Sequence, residues 1–295
     1  MKEEYGEALE WFEKAIPLIP TYLQPEGYLW KGFCHYWVGN EGEWSVYLGK
    51  AADAASEAGY DEDLKLINWI KAFLHYERGE LDQSCKNNEA WMPTWAEKWP
   101  AYKYFYEGAY HFLSGLIECK DGNLNNARKK LEELKSLYEE MTPRRKDWVL
   151  FYCRYLSAEL ALKEGSPDEA IAAFEEPISY KPSFITIDNM STFLIYNLPC
   201  VRDVLPRAYA QIGNLDGAIT AYERLLIHDP ETTTRQLIHP LYHYRLAELY
   251  ERKGWKGKAI EQYRMFLDFW KDADPGHVEV ENAKKRLEGL SAENP

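Results

Sequence analysis

The segment Gly213–Tyr222, GNLDGAITAY, decides the fold of this chain because three other segments share its spacing. In each copy a glycine lies five residues before a small alanine, and a large apolar residue follows four positions later. Recurrence of one spaced pattern along a chain is typical of a stacked repeat protein, in which each unit buries its apolar face against its neighbours. The other copies are Gly122/Ala127/Leu131, Gly165/Ala170/Phe174 and Gly254/Ala259/Tyr263.

The pattern extends outward from the small residue of each copy, here called the anchor. Twelve positions before the anchor lie Gly115, Ala158, Pro206 and Ala247, and Pro182 and Pro230 follow two of the anchors by the same distance. This pattern resembles the tetratricopeptide repeat family, strongly over residues 115–271, fairly over 1–80 and poorly over 85–105. The resemblance implies an all-α fold, a right-handed superhelical solenoid of antiparallel helix pairs. The last repeats also resemble the C-terminal repeat region of multidomain prokaryotic proteins of this family.

The spacing of the anchors predicts enlarged repeats. Including weaker upstream copies, the anchors are Ala8, Trp44, Ser84, Ala127, Ala170, Ala218 and Ala259, which gives repeats of about 36–48 residues, against about 34 in the family. Other helical repeats, with periods of about 40–47, are the structural alternative. One solenoid is expected over residues 1–295. It divides into a half repeat at 1–22, repeats at 23–60, 61–105, 106–142, 143–198, 199–235 and 236–275, and a capping helix at 276–295.

Local signals predict several helix ends. Gly213 and Gly254 each suit the left-handed residue that ends a helix, and Ser166-Pro167 is a helix start with Ser as N-cap. Near Pro206, either Asp203 caps a helix, or a helix begins near Pro199 and kinks.

Residues 4–16 look like the second helix of a repeat whose first helix is missing. Such a helix is explained by a fragment of a longer protein, by a natural cap or by self-association with a second copy. The first explanation is the favoured one.

Composition narrows the class of partner. The net charge of −13 argues against nucleic acid and anionic membranes, both of which need a basic protein face, and suits a protein or peptide partner with basic flanks.

The five cysteines are odd in number and show no CxxC motif, which favours thiols in a reducing compartment. The first residues lead into an amphipathic helix rather than an apolar run. A cytoplasmic location is therefore expected.

The sequence shows no constellation typical of catalysis. It has no phosphate-binding glycine loop, nucleophile elbow or HExxH motif, so we expect no enzyme activity, cofactor or metal. His239 and His243 are four residues apart, as zinc ligands can be, but without a recognisable third ligand they are expected to be histidines at the solvent edge. Trp91, Trp95 and Trp99 form either a connection packed on a neighbouring pair or an aromatic ledge for a ligand.

The first helices of the repeats carry the candidate site, because in the resembled family they line the inner groove. Two alternatives stay open for their aromatic residues, an exposed groove or packed core, since periodicity does not distinguish them. The lysines and asparagines of the carboxylate clamp that some relatives use are not found. The candidate partner-binding groove consists of Leu29, Phe33, Tyr36, Leu66, Trp69, Phe73, Tyr76, Phe112, Tyr152, Tyr155, Arg207 and Tyr244.

These observations favour a non-catalytic protein–protein interaction scaffold. A small-molecule or glycan binder is the alternative, because Tyr and Trp are abundant, with 22 and 11 copies, and could stack on a ligand. A repeat-built enzyme is the third hypothesis, and it would need a pocket joining distant repeats.

Overall fold

The computed structural model describes residues 5–59, 61–91, 103–141, 146–174, 197–227 and 238–292. These ranges form α-helices and short 3-10 turns, with no strand among them, which confirms the all-α class. The helices of the described ranges are α1 Tyr5–Ala15, α2 Gln24–Trp37, α3 Glu41–Ala58, α4 Asp61–Glu77, α5 Leu81–Trp91, α6 Lys103–Asp121, α7 Leu124–Glu140, α8 Lys146–Glu164, α9 Pro167–Ala172, α10 Pro199–Arg202, α11 Val204–Gln211, α12 Leu215–Leu225, α13 Leu241–Arg252, α14 Lys256–Phe269 and α15 Val278–Ala292.

Small residues bring the helices of neighbouring pairs close together. A Cβ added to Gly115 on α6 would overlap the Leu156 side chain on α8, so the glycine lets the two helices approach without displacing Leu156. The alanine anchors of the four strong copies are fully buried: Ala127, Ala170, Ala218 and Ala259. The spaced pattern therefore marks the positions where helices touch, as the sequence predicts.

The predicted helix ends are largely confirmed. Gly213 and Gly254 have φ angles of 77° and 76°, the left-handed conformation that glycine adopts at little cost. Ser166 is the N-cap of α9 with Pro167 next to it, but its side chain makes no capping hydrogen bond, contrary to the expected motif.

The region of Pro206 has features of both alternatives, because Asp203 also holds the N-cap position of α11, whose first turn contains Pro206. A helix begins at Pro199 and is interrupted at Asp203, which separates α10 from α11. The Asp203 side chain does not cap α11. It turns instead towards Arg207, one turn later, whose Nε donates to its Oδ1 at 2.9 Å.

The chain divides into two compact units, one made of Met1–Ile67 with Leu215–Pro295 and the other of Asn68–Asn214. The first unit joins segments that are more than 200 residues apart in sequence. Trp37 Nε1 donates to the carbonyl of Ile238 at 3.0 Å, and Trp270 Nε1 donates to the carbonyl of Trp37 at 2.9 Å. We call this contact, between residues 37–42 on one side and 238–239 with 270–277 on the other, the joint.

The first helix also belongs to this unit. The Tyr5 ring packs edge-on against Phe269, and its hydroxyl donates to the carbonyl of Ile238. On another part of this segment, Trp11 and Leu18 are 72% and 84% exposed. The face that carries Tyr5 thus has a partner within the unit, and self-association through the rest of this helix stays a prediction.

No helix in the described ranges is both long enough and apolar enough to span a membrane.

Candidate interaction surface

A row of packed aromatic rings runs across the first helices of the second unit. Trp69 and Phe73 lie on α4 with ring centroids 5.8 Å apart, and Phe73 continues to Phe112 on α6 at 6.2 Å. Phe112 stacks on Tyr152 of α8 at 4.8 Å. Aromatic pairs at these separations stabilise a core beyond the area that they bury. The row therefore ties three successive helix pairs together.

A polar cluster follows this row on α8 and the last helices of the unit. The Arg207 guanidinium lies between two carboxylates, with Nη2 2.6 Å from Glu159 Oε2 and Nε 2.9 Å from Asp203 Oδ1. Both carboxylates are buried, while the Arg207 side chain is 34% exposed. A guanidinium suits this place because its planar fork contacts two carboxylates at once.

A second set of polar contacts joins α4 to its neighbours. Lys120 Nζ donates to the carbonyls of Tyr76 and Glu77 at 2.6 and 3.2 Å, which satisfies the end of α4. Glu77 Oε1 accepts from the backbone N–H of Cys200 at 2.7 Å, which satisfies the start of α10. Three helices of this unit, α4, α6 and α10, are thus fixed to one another by side chains at helix ends.

Burial favours the neutral form of the tyrosine hydroxyl and the cysteine thiols in this region. Burial, followed by the nearby Glu159 carboxylate, raises the pKa of Tyr76 well above its usual value. Burial and Glu77 likewise raise the pKa of the Cys200 thiol, and burial raises the pKa of Cys119 to about 12. A nucleophilic cysteine needs a lowered pKa, so these thiols have the character of structural residues.

The structure places most of the predicted groove residues inside the packing. Tyr36 and Arg207 are partly exposed, and Leu66 lies on α4 with its side chain outside the described residues. This burial favours the core alternative for the aromatic residues over the open-groove alternative. Contact of a partner with this set stays a prediction. The buried members are Leu29, Phe33, Trp69, Phe73, Tyr76, Phe112, Tyr152, Tyr155 and Tyr244.

The groove prediction missed the residues that hold the helix ends, Lys120, Glu77 and Cys200. Lys120 lies at the end of α6, and Glu77 directly follows the predicted groove residue Tyr76 at the end of α4. One sequence signal could have pointed to these residues. It is a charged residue at the end of a first helix, next to a position of the predicted groove. Its partner could not be read from sequence, since Glu77 and Cys200 are 123 residues apart.

The structure also places the histidine pair and the first tryptophan of the Trp91 segment, both of which the sequence singled out. His239 and His243 are buried rather than at the solvent edge, and His243 Nδ1 lies 2.7 Å from Gln262 Oε1. Within the described ranges, no group of three or more His, Cys, Asp or Glu residues could hold a metal ion. Trp91 is buried, and its Nε1 donates to Asn88 Oδ1 at 2.9 Å. Trp95 and Trp99 lie outside the described residues.

One open cavity of about 430 Å³ lies between α13 and α15. The Arg286 guanidinium at its wall contacts Glu251 at 2.8 Å, so the two charges neutralise each other there. The cavity is lined by Glu251, Asn282, Lys285, Arg286, Gly289 and Leu290.

The chain is similar to known proteins in sequence and in structure. Residues 207–277 match the family model of the tetratricopeptide repeat. The chain is 25% identical over 252 residues to the Transcription activator GutR of Bacillus subtilis (strain 168), covering 84% of this chain and 28% of GutR. It therefore spans less than a third of the length of that relative. A solved tetratricopeptide repeat protein from Parabacteroides merdae ATCC 43184 is 15% identical, with a TM-score of 0.49 over 98% of this chain and 93% of that one.

The matched segment covers α12, α13 and α14 together with two of the four strong copies of the spaced pattern, Gly213/Ala218/Tyr222 and Gly254/Ala259/Tyr263. In both copies the glycine has a positive φ and the alanine anchor is fully buried. Residues 207–277 therefore belong to the tetratricopeptide repeat family.

Proposed function

We propose that this protein is a non-catalytic interaction scaffold that binds a protein or peptide along the first helices of its second unit. Proteins with tetratricopeptide repeats generally mediate protein–protein contacts, which supports this class of function. The observation that carries the site is the polar cluster. Arg207 is held in a fixed orientation by two buried carboxylates and is still 34% exposed. A preorganised cation of this kind loses little entropy when it binds a carbonyl or carboxylate of a peptide.

The proposed partner has basic flanks. The net charge of −13 favours an approaching basic chain and disfavours anionic surfaces. We place the complex in the cytoplasm, since the five cysteines are free and burial raises the pKa of Cys34, Cys119 and Cys153 to about 12. Free thiols are typical of reducing compartments.

The similarity to a transcription activator suggests the setting in which such a scaffold acts. In a regulator of that kind, an acidic repeat region would contact another protein rather than DNA, because DNA binding needs cations that displace counterions. We expect no binding of random double-stranded DNA at 150 mM salt in a gel-shift measurement.

The test uses peptides selected from a phage-displayed library on the immobilised chain. Their affinities are then measured by fluorescence anisotropy for the wild type, for Arg207→Lys and for Arg264→Lys. Lysine keeps the charge but cannot form the two-carboxylate fork, so Arg207→Lys is expected to weaken binding about tenfold, or about 1.4 kcal/mol. Arg264 is exposed on α14, so its replacement should change nothing. Selected peptides that bind all three proteins equally would show that the site lies elsewhere.

A further inference from the structure

The joint of the first unit holds a buried histidine. His239 is 1% exposed and lies among three aromatic rings, with centroid distances of 4.8 Å to Trp37 and 6.1 Å to both Tyr36 and Tyr242. Its Nδ1 accepts from the backbone N–H of Leu241 at 3.2 Å, so the neutral ring carries its proton on Nε2. Among the described residues, Nε2 meets no hydrogen-bond acceptor.

The same joint is closed by hydrogen bonds that do not involve the His239 side chain. The Asp274 N–H donates to the carbonyl of Gly39 at 3.0 Å, and the Gly42 N–H donates to Asp274 Oδ2 at 2.7 Å. His277 Nε2 donates to the same Gly39 carbonyl at 2.9 Å. These contacts join the α2–α3 turn to the segment after α14, and they can report whether the joint is closed.

We propose that the joint is an acid-sensitive clasp, closed while the His239 ring is neutral and released when that ring takes up a proton. A proton on Nδ1 replaces the acceptor of the Leu241 N–H with a second donor, so that hydrogen bond is lost. It also places a charge among aromatic rings and away from water, which is costly unless the charge is paired. Release lets water reach the ring.

The groups that face His239 come from three elements. Tyr36 and Trp37 face it from α2, Tyr242 faces it from α13, and the Tyr5 hydroxyl of α1 contacts the carbonyl of the preceding Ile238. The ionisable groups Asp274 and His277 lie on the same side of the joint as His239, in the segment after α14. The three rings that pack around His239, those of Tyr36, Trp37 and Tyr242, are aromatic side chains rather than carboxylates that could pair with an imidazolium.

The direction of the pH effect follows from burial. Burial lowers the pKa of His239 from its usual 6.5 to about 3 in the closed joint. The closed form is therefore fully favoured above pH 6.5 and loses stability as the pH falls below that value. With an ordinary pKa after release, the ratio of open to closed joint rises about 30-fold between pH 7.5 and pH 5.0.

The test is hydrogen–deuterium exchange of the whole chain at pH 7.5 and pH 5.0, corrected for the intrinsic pH dependence of exchange. Protection of the Gly42 and Asp274 amides is expected to fall about 30-fold in the wild type. In His239→Asn the side-chain oxygen can still accept from the Leu241 N–H but takes up no proton, so protection should not fall. His277→Gln keeps an N–H donor for the Gly39 carbonyl and keeps His239, so it should respond like the wild type.

Two outcomes would overturn the clasp: wild-type protection that is equal at both pH values, or a loss in His239→Asn as large as in the wild type. Amides of α6 and α7 in the other unit report global unfolding, and their simultaneous loss of protection would also contradict a local release. If circular dichroism shows that His239→Asn is unfolded, His239→Phe, which keeps an aromatic ring, takes its place with the same expectation.

Discussion

Gly39 is constrained both by its backbone conformation and by the atoms packed against it. Its φ of 76° lies in the left-handed region, and an added Cβ would lie 2.9 Å from Ala273 Cβ and 3.0 Å from Trp270. Gly59 has nearly the same φ, 73°, but an added Cβ there meets nothing within 4 Å. The two glycines thus separate the cost of backbone conformation from the cost of overpacking.

Replacement of each glycine by alanine tests this separation. Gly59→Ala should lower the free energy of unfolding by about 1 kcal/mol, the cost of a left-handed L residue. Gly39→Ala should lower it by about 2–4 kcal/mol, because overpacking adds to that cost. Urea denaturation followed by circular dichroism measures both. Equal losses would mean that the joint is not packed as described.

Gly115 and Leu156 test the close approach of α6 and α8. Gly115→Ala should cost about 1–3 kcal/mol, since its Cβ would overlap the Leu156 side chain, and Leu156→Ala should cost about 2–5 kcal/mol. The double variant should be more stable than the sum of the two losses implies, because truncated Leu156 makes room for the new methyl group. Strict additivity in denaturant titrations would argue against the contact.

At the scale of elements, local signals and long-range contacts differ in what the sequence can predict. The final capping helix, expected within 276–295, is observed at Val278–Ala292, and the first helix, expected at 4–16, is observed at Tyr5–Ala15. Capping and periodicity are local, so they are readable from one sequence. The joint between Trp37 and Ile238 spans 201 residues, and no local signal predicts such a pair.

The polar cluster that links α8 to α11 yields a prediction at this scale. Arg207→Met removes the cation between two buried carboxylates and should cost about 3 kcal/mol, because buried charges are left unpaired. Adding Glu159→Gln to this variant should recover part of the loss, since one unpaired charge disappears. Thermal and urea denaturation of the single and double variants measure the recovery. If the double variant loses as much free energy of unfolding as the two single variants together, the two residues act independently.

For the molecule as a whole, the fold class was readable from the spacing, while the character of the site was not. The same first-helix positions are expected whether their side chains face a groove or a core, because both give one apolar stripe per helix. The structure buries Trp69 and Phe73 through rings contributed by other repeats. Burial of this kind depends on how the pairs stack, which no single repeat encodes.

If the aromatic row is buried, replacing one of its residues should lower stability more than it would in an exposed groove. Trp69→Ala should destabilise the protein by about 3–5 kcal/mol, because Trp69 is only 2% exposed. Trp11→Ala is the matched control, and with 72% exposure Trp11 should change stability by less than about 0.5 kcal/mol. Equilibrium denaturation of both variants decides the point. A Trp69→Ala protein as stable as the control would restore the open groove.

The central claim is that a partner binds along the first helices of the second unit, at the Arg207 cluster. The most direct measurement is the hydrogen-exchange footprint of a library-selected peptide on the wild-type chain at pH 7.5. The account predicts slower exchange in α8 and α11, around Glu159 and Arg207, with the Arg207→Lys protein showing a weaker footprint at the same peptide concentration. A footprint confined to other helices, or none at saturating peptide, would contradict it.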